Sequence, residues 1–362
     1  MRSVISGVPR RPRSDPARAR RVLAIALVAV IAGQLAAGLA LDAAPTSVRF
    51  TEGARVLAQA RAMGNAPYVL LLGSSRFYHI DLETARATLL ETVGNGAPTV
   101  IQGAVLGGDA VIADYLLDRL LAQGSRPVLI VAETSPETIG HPSNWIAGDA
   151  IRFFTWREVL AWAPEIITRG RPGDVVTARL APIDVYRREL LSWIVGRPPP
   201  YLSVASPEVA DASPSMDGEP ASDVQDGDGR QPNAATLSGL RQTRGWLRHY
   251  RLGGEAQALD HFLARSRAAG IPVVLVGVPV SSWVRDLYTP EVEHAFRTYL
   301  DRVTARGDAD FVDYRARFAD GYFFDHHHLN GQGGTLFARM LANEVVAPHL
   351  HEPGTGPDDS PS

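Results

Sequence analysis

The apolar positions of this chain fall into blocks with different spacings. Residues 22–41, VLAIALVAVIAGQLAAGLAL, are apolar almost without a break, with Gln34 the one polar side chain. About 20 apolar residues are enough to carry a helix across a bilayer, so this block predicts a membrane-spanning helix. Farther along, the runs are shorter: PYVLLLGSS (67–75), PTVIQGAVLGG (98–108), RPVLIVAETSP (126–136), IPVVLVGVPV (271–280) and the weaker ADFVDY (309–314). Short continuous runs fit strands buried on both faces, and amphipathic stretches such as 108–123 and 290–305 fit the covering helices. The alternation predicts an α/β fold: a three-layer, doubly wound, flavodoxin-like parallel sheet of five strands.

Two segments break the alternation. Residues 141–197 carry no strand signal and contain FFTWREVLAWAPEIITR and DVYRRELLSWIVGR, which predict a helical insertion. Core packing explains its Trp156, Trp162, Tyr186 and Trp193 more simply than a ligand does. Residues 204–235 are rich in Asp, Pro, Ser, Gly and Ala and predict a disordered acidic insert. Its DGDG lacks the spacing and closing Glu of a calcium loop. The expected organisation is a basic segment at 1–21, the apolar helix at 22–41, an α/β domain over 46–350 that holds both insertions, and a loose tail at 351–362.

Charge gives the apolar helix a direction. Residues 1–21 hold seven arginines and one acid, Asp15, a balance of +6. By the positive-inside rule the N-terminus stays cytoplasmic, and the rest lies in the periplasm or outside the cell. A cleaved signal peptide is the competing reading, with small residues at 38–44 as a cleavage site. Its apolar core is usually shorter, roughly 7–15 residues, so a single-pass anchor in the cytoplasmic membrane is expected. With a total of −3, the remainder stands at −9 (−3 minus +6). So acidic a body is a poor partner for nucleic acid. The chain has no cysteine and no lysine. That removes disulfides, thiolate chemistry, a Walker lysine and a Ser–Lys dyad, and no cofactor is expected.

In a doubly wound sheet, sites gather at the carboxyl ends of the strands. After the first run stand Gly73, Ser74, Ser75 and Arg76. After the second stand Gly103, Gly107 and Gly108, and after the third Glu133, Thr134 and Ser135. Beyond the fifth lies FFDHHHLNGQGG, residues 323–334. A serine at a strand-to-helix turn sits beside N–H groups that can hold an oxyanion, yet it needs a positioned base. Asp325 and His328 are spaced i, i+3, so one carboxylate can hold the ring. Three adjacent histidines point in different directions and rarely give three ligands to one ion, so no metal is expected. A polar helix cap with solvated histidines is the bland alternative.

Gly-x-Ser in LLLGSSRF, the glycine loop QGAVLGGD and the late DHHHLNGQGG together resemble blocks of the SGNH/GDSL hydrolase superfamily. The likeness covers about residues 65–140 and 265–345. It implies Ser75 as nucleophile, with Ser74 as its neighbour, His328 as general base and Asp325 as the group that orients it. It also implies the N–H groups of Ser75 and Gly107 as oxyanion donors. The superfamily often carries an asparagine in its third block. Here the sequence reads AETSPE, so Thr134 or Ser135 is the substitute expected, or the donor is missing. With the anchor, the chain is similar to exported SGNH-like proteins that acylate envelope or secreted polysaccharides. That branch implies a membrane-bound O-acyltransferase partner and a glycan hydroxyl acceptor. The resulting expectation is an extracytoplasmic serine acyltransferase or esterase. The alternative is a degenerate scaffold or glycan-binding accessory protein. Arg76, Arg244 and Trp246 are weaker candidates for substrate contact, since arginine and aromatic faces suit acidic groups and sugar rings.

Overall fold

The computed structural model describes residues 16–43, 50–140, 154–169, 171–195, 234–248 and 250–351. The basic segment before Pro16, most of the insert expected at 204–235 and the tail after His351 lie outside these residues.

Five strands form one sheet: β1 Tyr68–Leu72, β2 Thr99–Gln102, β3 Leu129–Thr134, β4 Val273–Gly277 and β5 Asp310–Asp313. All pairings are parallel and the order is β2-β1-β3-β4-β5. This is the flavodoxin-like order, whose direction of winding reverses between β1 and β3. The carboxyl ends of these two strands therefore diverge into a crevice.

The helices follow in chain order. The apolar helix α1 spans Pro16–Ala43 and α2 spans Thr51–Met63. After β1 come α3, Ser75–Tyr78, and α4, Leu82–Val93. α5 is Ala110–Ala122 and α6 is Pro136–Gly140. The helical insertion contributes α7 Trp156–Ala161, α8 Ala163–Arg169, α9 Pro172–Leu180, α10 Pro182–Val185 and α11 Arg187–Val195. Then come α12 Ala234–Leu247, α13 Gly254–Ala268, α14 Ser282–Arg285, α15 Pro290–Ala305 and α16 Gly331–Met340. Short polar side chains start several of them. Asp109 accepts from the N–H groups of Val111 and Ile112, and Asp81 accepts from Thr84 N–H. Both satisfy donors that have no partner inside the helix.

Side chains alternate across each strand, which gives the sheet two apolar faces. Leu70, Leu72, Ile130, Val273 and Leu275 pack with α5 and α13 on one face. Val69, Leu71, Val131, Val274 and Val276 pack with α4 and α16 on the other. β1 is buried along its whole length. β5, at the sheet edge, exposes Asp310 and Asp313 at its ends, which is why its sequence signal is weak. Phe154, Trp162 and Ile166 of the insertion join the α5 side of the core. Trp162 and Tyr186 are buried, in keeping with a packing role, whereas Trp156 is 53% exposed and does not join the core.

Candidate active site

The turn after β1 is fixed from beneath. Ser74 caps α3, and its Oγ accepts from the Arg76 N–H at 3.3 Å. The Ser74 N–H donates to Glu133 Oε2 at 2.7 Å, and its hydroxyl donates to the same carboxylate at 2.9–3.0 Å. Ser74 is thus committed to the scaffold. Its neighbour Ser75 stands at the first position of α3, where the N–H has no intrahelical acceptor. The Ser75 hydroxyl lies 2.8 Å from His328 Nε2.

His328 comes from a tight loop before α16. Phe323 and Leu329 form an antiparallel bridge, and the Asn330 N–H donates to the Tyr322 carbonyl at 2.8 Å. Within that loop Asp325 Oδ1 accepts from the N–H groups of His327 (2.9 Å) and His328 (2.8 Å). Its other oxygen lies 2.6 Å from His328 Nδ1. The arrangement assigns the proton of His328 to Nδ1, facing the carboxylate, and leaves Nε2 to accept from Ser75. Burial alone would raise the pKa of Asp325. The hydrogen bond and charge of His328, with the two N–H groups, outweigh that and hold it well below the usual carboxylate range.

The glycines of LNGQGG join the two halves. Asn330 caps α16 by accepting from Gly333 N–H at 2.9 Å. A Cβ on Gly334 would stand 1.9 Å from the His79 carbonyl oxygen. Only a glycine lets α16 approach the segment behind Ser75 this closely. A second close approach brings in the β2 loop. A Cβ on Gly108 would lie 2.4 Å from the Gly73 carbonyl oxygen. Gly107 is exposed at the tip of that loop, with φ +65°. The β2 loop therefore abuts the Ser75 turn.

Aromatic rings wall His328. Phe324 stacks on His328 with centroids 5.4 Å apart and planes 8° apart, and its own ring is 48% exposed. His79 packs edge-on against both, at 5.4 Å and 5.0 Å. Desolvation lowers the pKa of His79, and the charge of His328 lowers it further. His326 is buried, and its carbonyl accepts from Ser281 Oγ at 2.6 Å. Its Nδ1 has no hydrogen-bond partner among the described residues and lies 3.9 Å from Asp325 Oδ1. His326, His327 and Asp325 bring one ligand atom each within 4.8 Å of one another. Asp325 is already engaged by His328 and two backbone N–H groups, which competes with its use as a ligand.

Several expected contacts are not where the sequence suggests. Arg76 does not reach toward a substrate. It is 6% exposed, donates to Glu133 Oε1 (2.7 Å), Glu137 Oε1 (2.6 Å) and Ser135 Oγ (2.9 Å), and pairs a buried guanidinium with two buried carboxylates. Ser135 is fully buried between Arg76 and Thr138, so its hydroxyl is turned inward, away from an oxyanion at the surface. Thr134 is also fully buried, with its hydroxyl unpartnered among the described residues. Arg244 is exposed and Trp246 half-buried on α12. That helix meets the base loop through Gly239, where a Cβ would lie 1.9 Å from His326 Cε1. Sequence reasoning placed Glu133 at a strand end without giving it a role, and missed Glu137, His79 and Phe324. An arginine directly after a buried turn needs a carboxylate within reach, and a Glu ending the apolar run LIVAE was the available signal for one.

No protein-family model and no curated protein matches the chain. Solved structures similar to it include a GDSL-like lipase from Bacteroides thetaiotaomicron, at 10% identity and TM-score 0.38, covering 81% of this chain and 98% of that one. Another is a protein named as an acylhydrolase from Bacteroides fragilis, at 11% identity and TM-score 0.37, covering 81% and 94%. A third, from Streptococcus pneumonia and named for platelet activating factor, stands at 12% identity and TM-score 0.33, covering 91% and 98%. These likenesses are low, and the reading of the site rests on its own geometry.

Proposed function

We propose that this chain is a membrane-anchored, extracytoplasmic serine hydrolase or acyltransferase of SGNH type. The observation that carries the reading is the unbroken relay from Ser75 through His328 to Asp325, with links of 2.8 Å and 2.6 Å. Ser75 and His328 lie 253 residues apart in sequence, so the fold itself brings them together. Nucleophile, base and orienting carboxylate in hydrogen-bond contact form the arrangement that activates a serine.

The chemistry follows from the atoms. Ser75 Oγ attacks the carbonyl carbon of an ester while His328 Nε2 takes the hydroxyl proton. The resulting imidazolium is stabilised by Asp325. The oxyanion is held by the Ser75 N–H and by the Gly107 loop. Collapse of the tetrahedral species expels the alcohol, which receives the proton from His328, and leaves an acyl-serine. A second hydroxyl then attacks under the same base. If it belongs to water the enzyme is an esterase, and if it belongs to a glycan the acyl group is transferred. The reading extends to O-acyl groups of an envelope or secreted polysaccharide, and to a membrane-bound O-acyltransferase as donor-side partner. The basis for both is the sequence resemblance together with the apolar helix α1.

A second reading has one observation in its favour. The third block supplies no exposed side-chain donor, since Thr134 and Ser135 are both fully buried. Loss of one oxyanion donor costs about a hundred- to a thousandfold in rate, and a scaffold or glycan-binding accessory protein would tolerate that loss. Covalent labelling with a fluorophosphonate distinguishes the two. An enzyme is labelled, and the labelling is abolished in Ser75→Ala and His328→Ala but kept in folded Ser74→Ala. A folded protein that takes no label favours the scaffold, or a site that only a membrane partner completes.

A further inference from the structure

The helical insertion α7–α11 does not stand clear of α1. Leu41 is buried against Ala178 and Tyr186. Arg179 pairs with Asp42 at 2.6 Å, and Pro182 Cγ lies 3.7 Å from where a Cβ on Gly38 would be. Lower down, the Ile183 N–H donates to Gln34 Oε1 at 3.0 Å. This contact accounts for the one polar side chain of the apolar block, because Gln34 serves the first turn of α10. At 1.5 Å per residue, Gln34 lies about 10 Å below Leu41 along the helix axis. A block of 20 residues spans about 30 Å, the thickness of a bilayer's hydrocarbon core. The α9–α10 corner thus reaches about 10 Å below the outer end of that block.

The outer faces of the insertion match such a position. Leu160 and Ile167 on α7–α8, Val176 and Leu180 on α9, and Leu191 and Ile194 on α11 are each between 54% and 72% exposed. On α9 and on α11 the two side chains are four and three residues apart, which sets each of those pairs on one helical face. Of the 24 large apolar side chains exposed among the described residues, nine lie on α1 and nine on the insertion. The remaining six are scattered over the α/β body. Apolar surface on this scale is not left to water.

We infer that the insertion is a monotopic membrane element: its exposed apolar faces sit in the outer leaflet beside α1, and lipid acyl chains are their occupant. The inference rests on reading α1 as a retained span. Helices lying in the interface bury their apolar side about 5–10 Å into the headgroup and acyl boundary, the depth at which Ile183 meets Gln34. The domain is then held by a span and by a lateral foot. The foot fixes its height and rotation over the bilayer, which a single helix cannot do.

The absence of cysteine makes site-directed labelling direct. Full-length chains carrying one substitution each, Val30→Cys, Leu180→Cys, Ile194→Cys or Leu90→Cys, would be spin-labelled. They would be reconstituted in vesicles of phosphatidylethanolamine and phosphatidylglycerol. Accessibility to oxygen against a water-soluble nickel complex then reports depth. The expected result is a deep label at residue 30, shallow membrane-embedded labels at 180 and 194, and an aqueous label at 90. Aqueous labels at 180 and 194 with a deep label at 30 would overturn the lateral foot and leave the anchor standing. An aqueous label at 30 would overturn the anchor, and the foot with it. Labels at 180 and 194 shielded from both reagents would show a second copy as the occupant and overturn the lipid assignment.

Discussion

Substituting Gly334 by alanine tests whether the glycine run of the base loop sets catalytic geometry. The new Cβ would stand 1.9 Å from the His79 carbonyl oxygen, whereas real Cβ contacts essentially never fall under 3.0 Å. The two backbones must therefore part by at least 1.1 Å (3.0 minus 1.9). His79 is four residues beyond Ser75, and Gly334 is six residues beyond His328, so the displacement falls on the 2.8 Å bond between them. A misplacement of about 1 Å costs about a hundredfold in rate. Overpacking itself costs about 1–3 kcal/mol, which lowers the melting temperature by about 2–12 °C at about 2–4 °C per kcal/mol. The assay is the second-order rate of fluorophosphonate labelling well below the unfolding midpoint, with circular dichroism to verify the fold. Gly245→Ala, where nothing lies within 4 Å of the added Cβ, serves as the control and keeps the wild-type rate. A Gly334→Ala rate within about threefold of wild type, from a folded protein, would refute the argument that this contact registers base against nucleophile.

Other substitutions separate stability from chemistry. Glu133→Ala leaves the buried Arg76 with Glu137 alone and removes the acceptor of Ser74, so unfolding free energy drops by about 3–5 kcal/mol by denaturant titration. Glu133→Gln keeps the shape and an acceptor and loses less. Asp325→Asn keeps the loop but frees the wrong tautomer of His328, and the labelling rate falls about ten-thousandfold. Because the folded pKa of Asp325 is depressed, its carboxylate contributes stability above the unfolded value of about 3.9 and loses it as pH falls through the folded value. Wild type and Asp325→Asn therefore differ in urea midpoint at neutral pH and converge in acid. Phe324→Ala removes the ring stacked on His328, worth about 0.5–1.5 kcal/mol, and slows labelling about two- to tenfold.

Much of the fold was legible because β1, β3 and β4 are buried on both faces and read as continuous apolar runs. The edge strand β5 was faint because half its residues face water. Ser75, Asp325 and His328 could be singled out because serine at a strand end and a carboxylate three residues before a histidine are local patterns. Arg76 was ambiguous because a charged residue beside a candidate nucleophile looks the same in sequence whether it points outward or inward. Its direction is decided by Glu133 and Glu137, about 60 positions away in the chain. The seat of α10 on Gln34 joins residues 149 positions apart, and no periodicity reports such a contact.

The order of elements along the chain has a temporal consequence. Ser75 follows the first strand, while His328 follows the last, 253 residues later. In the anchored, exported arrangement proposed above, a chain threaded across the membrane from its N-terminus presents the serine early and the histidine almost at the end. Until α16 docks against His79 the serine has no base and remains an ordinary alcohol. Under that proposal, reactivity switches on only when the last elements have been delivered and packed, and a chain truncated before His328 has no base for Ser75.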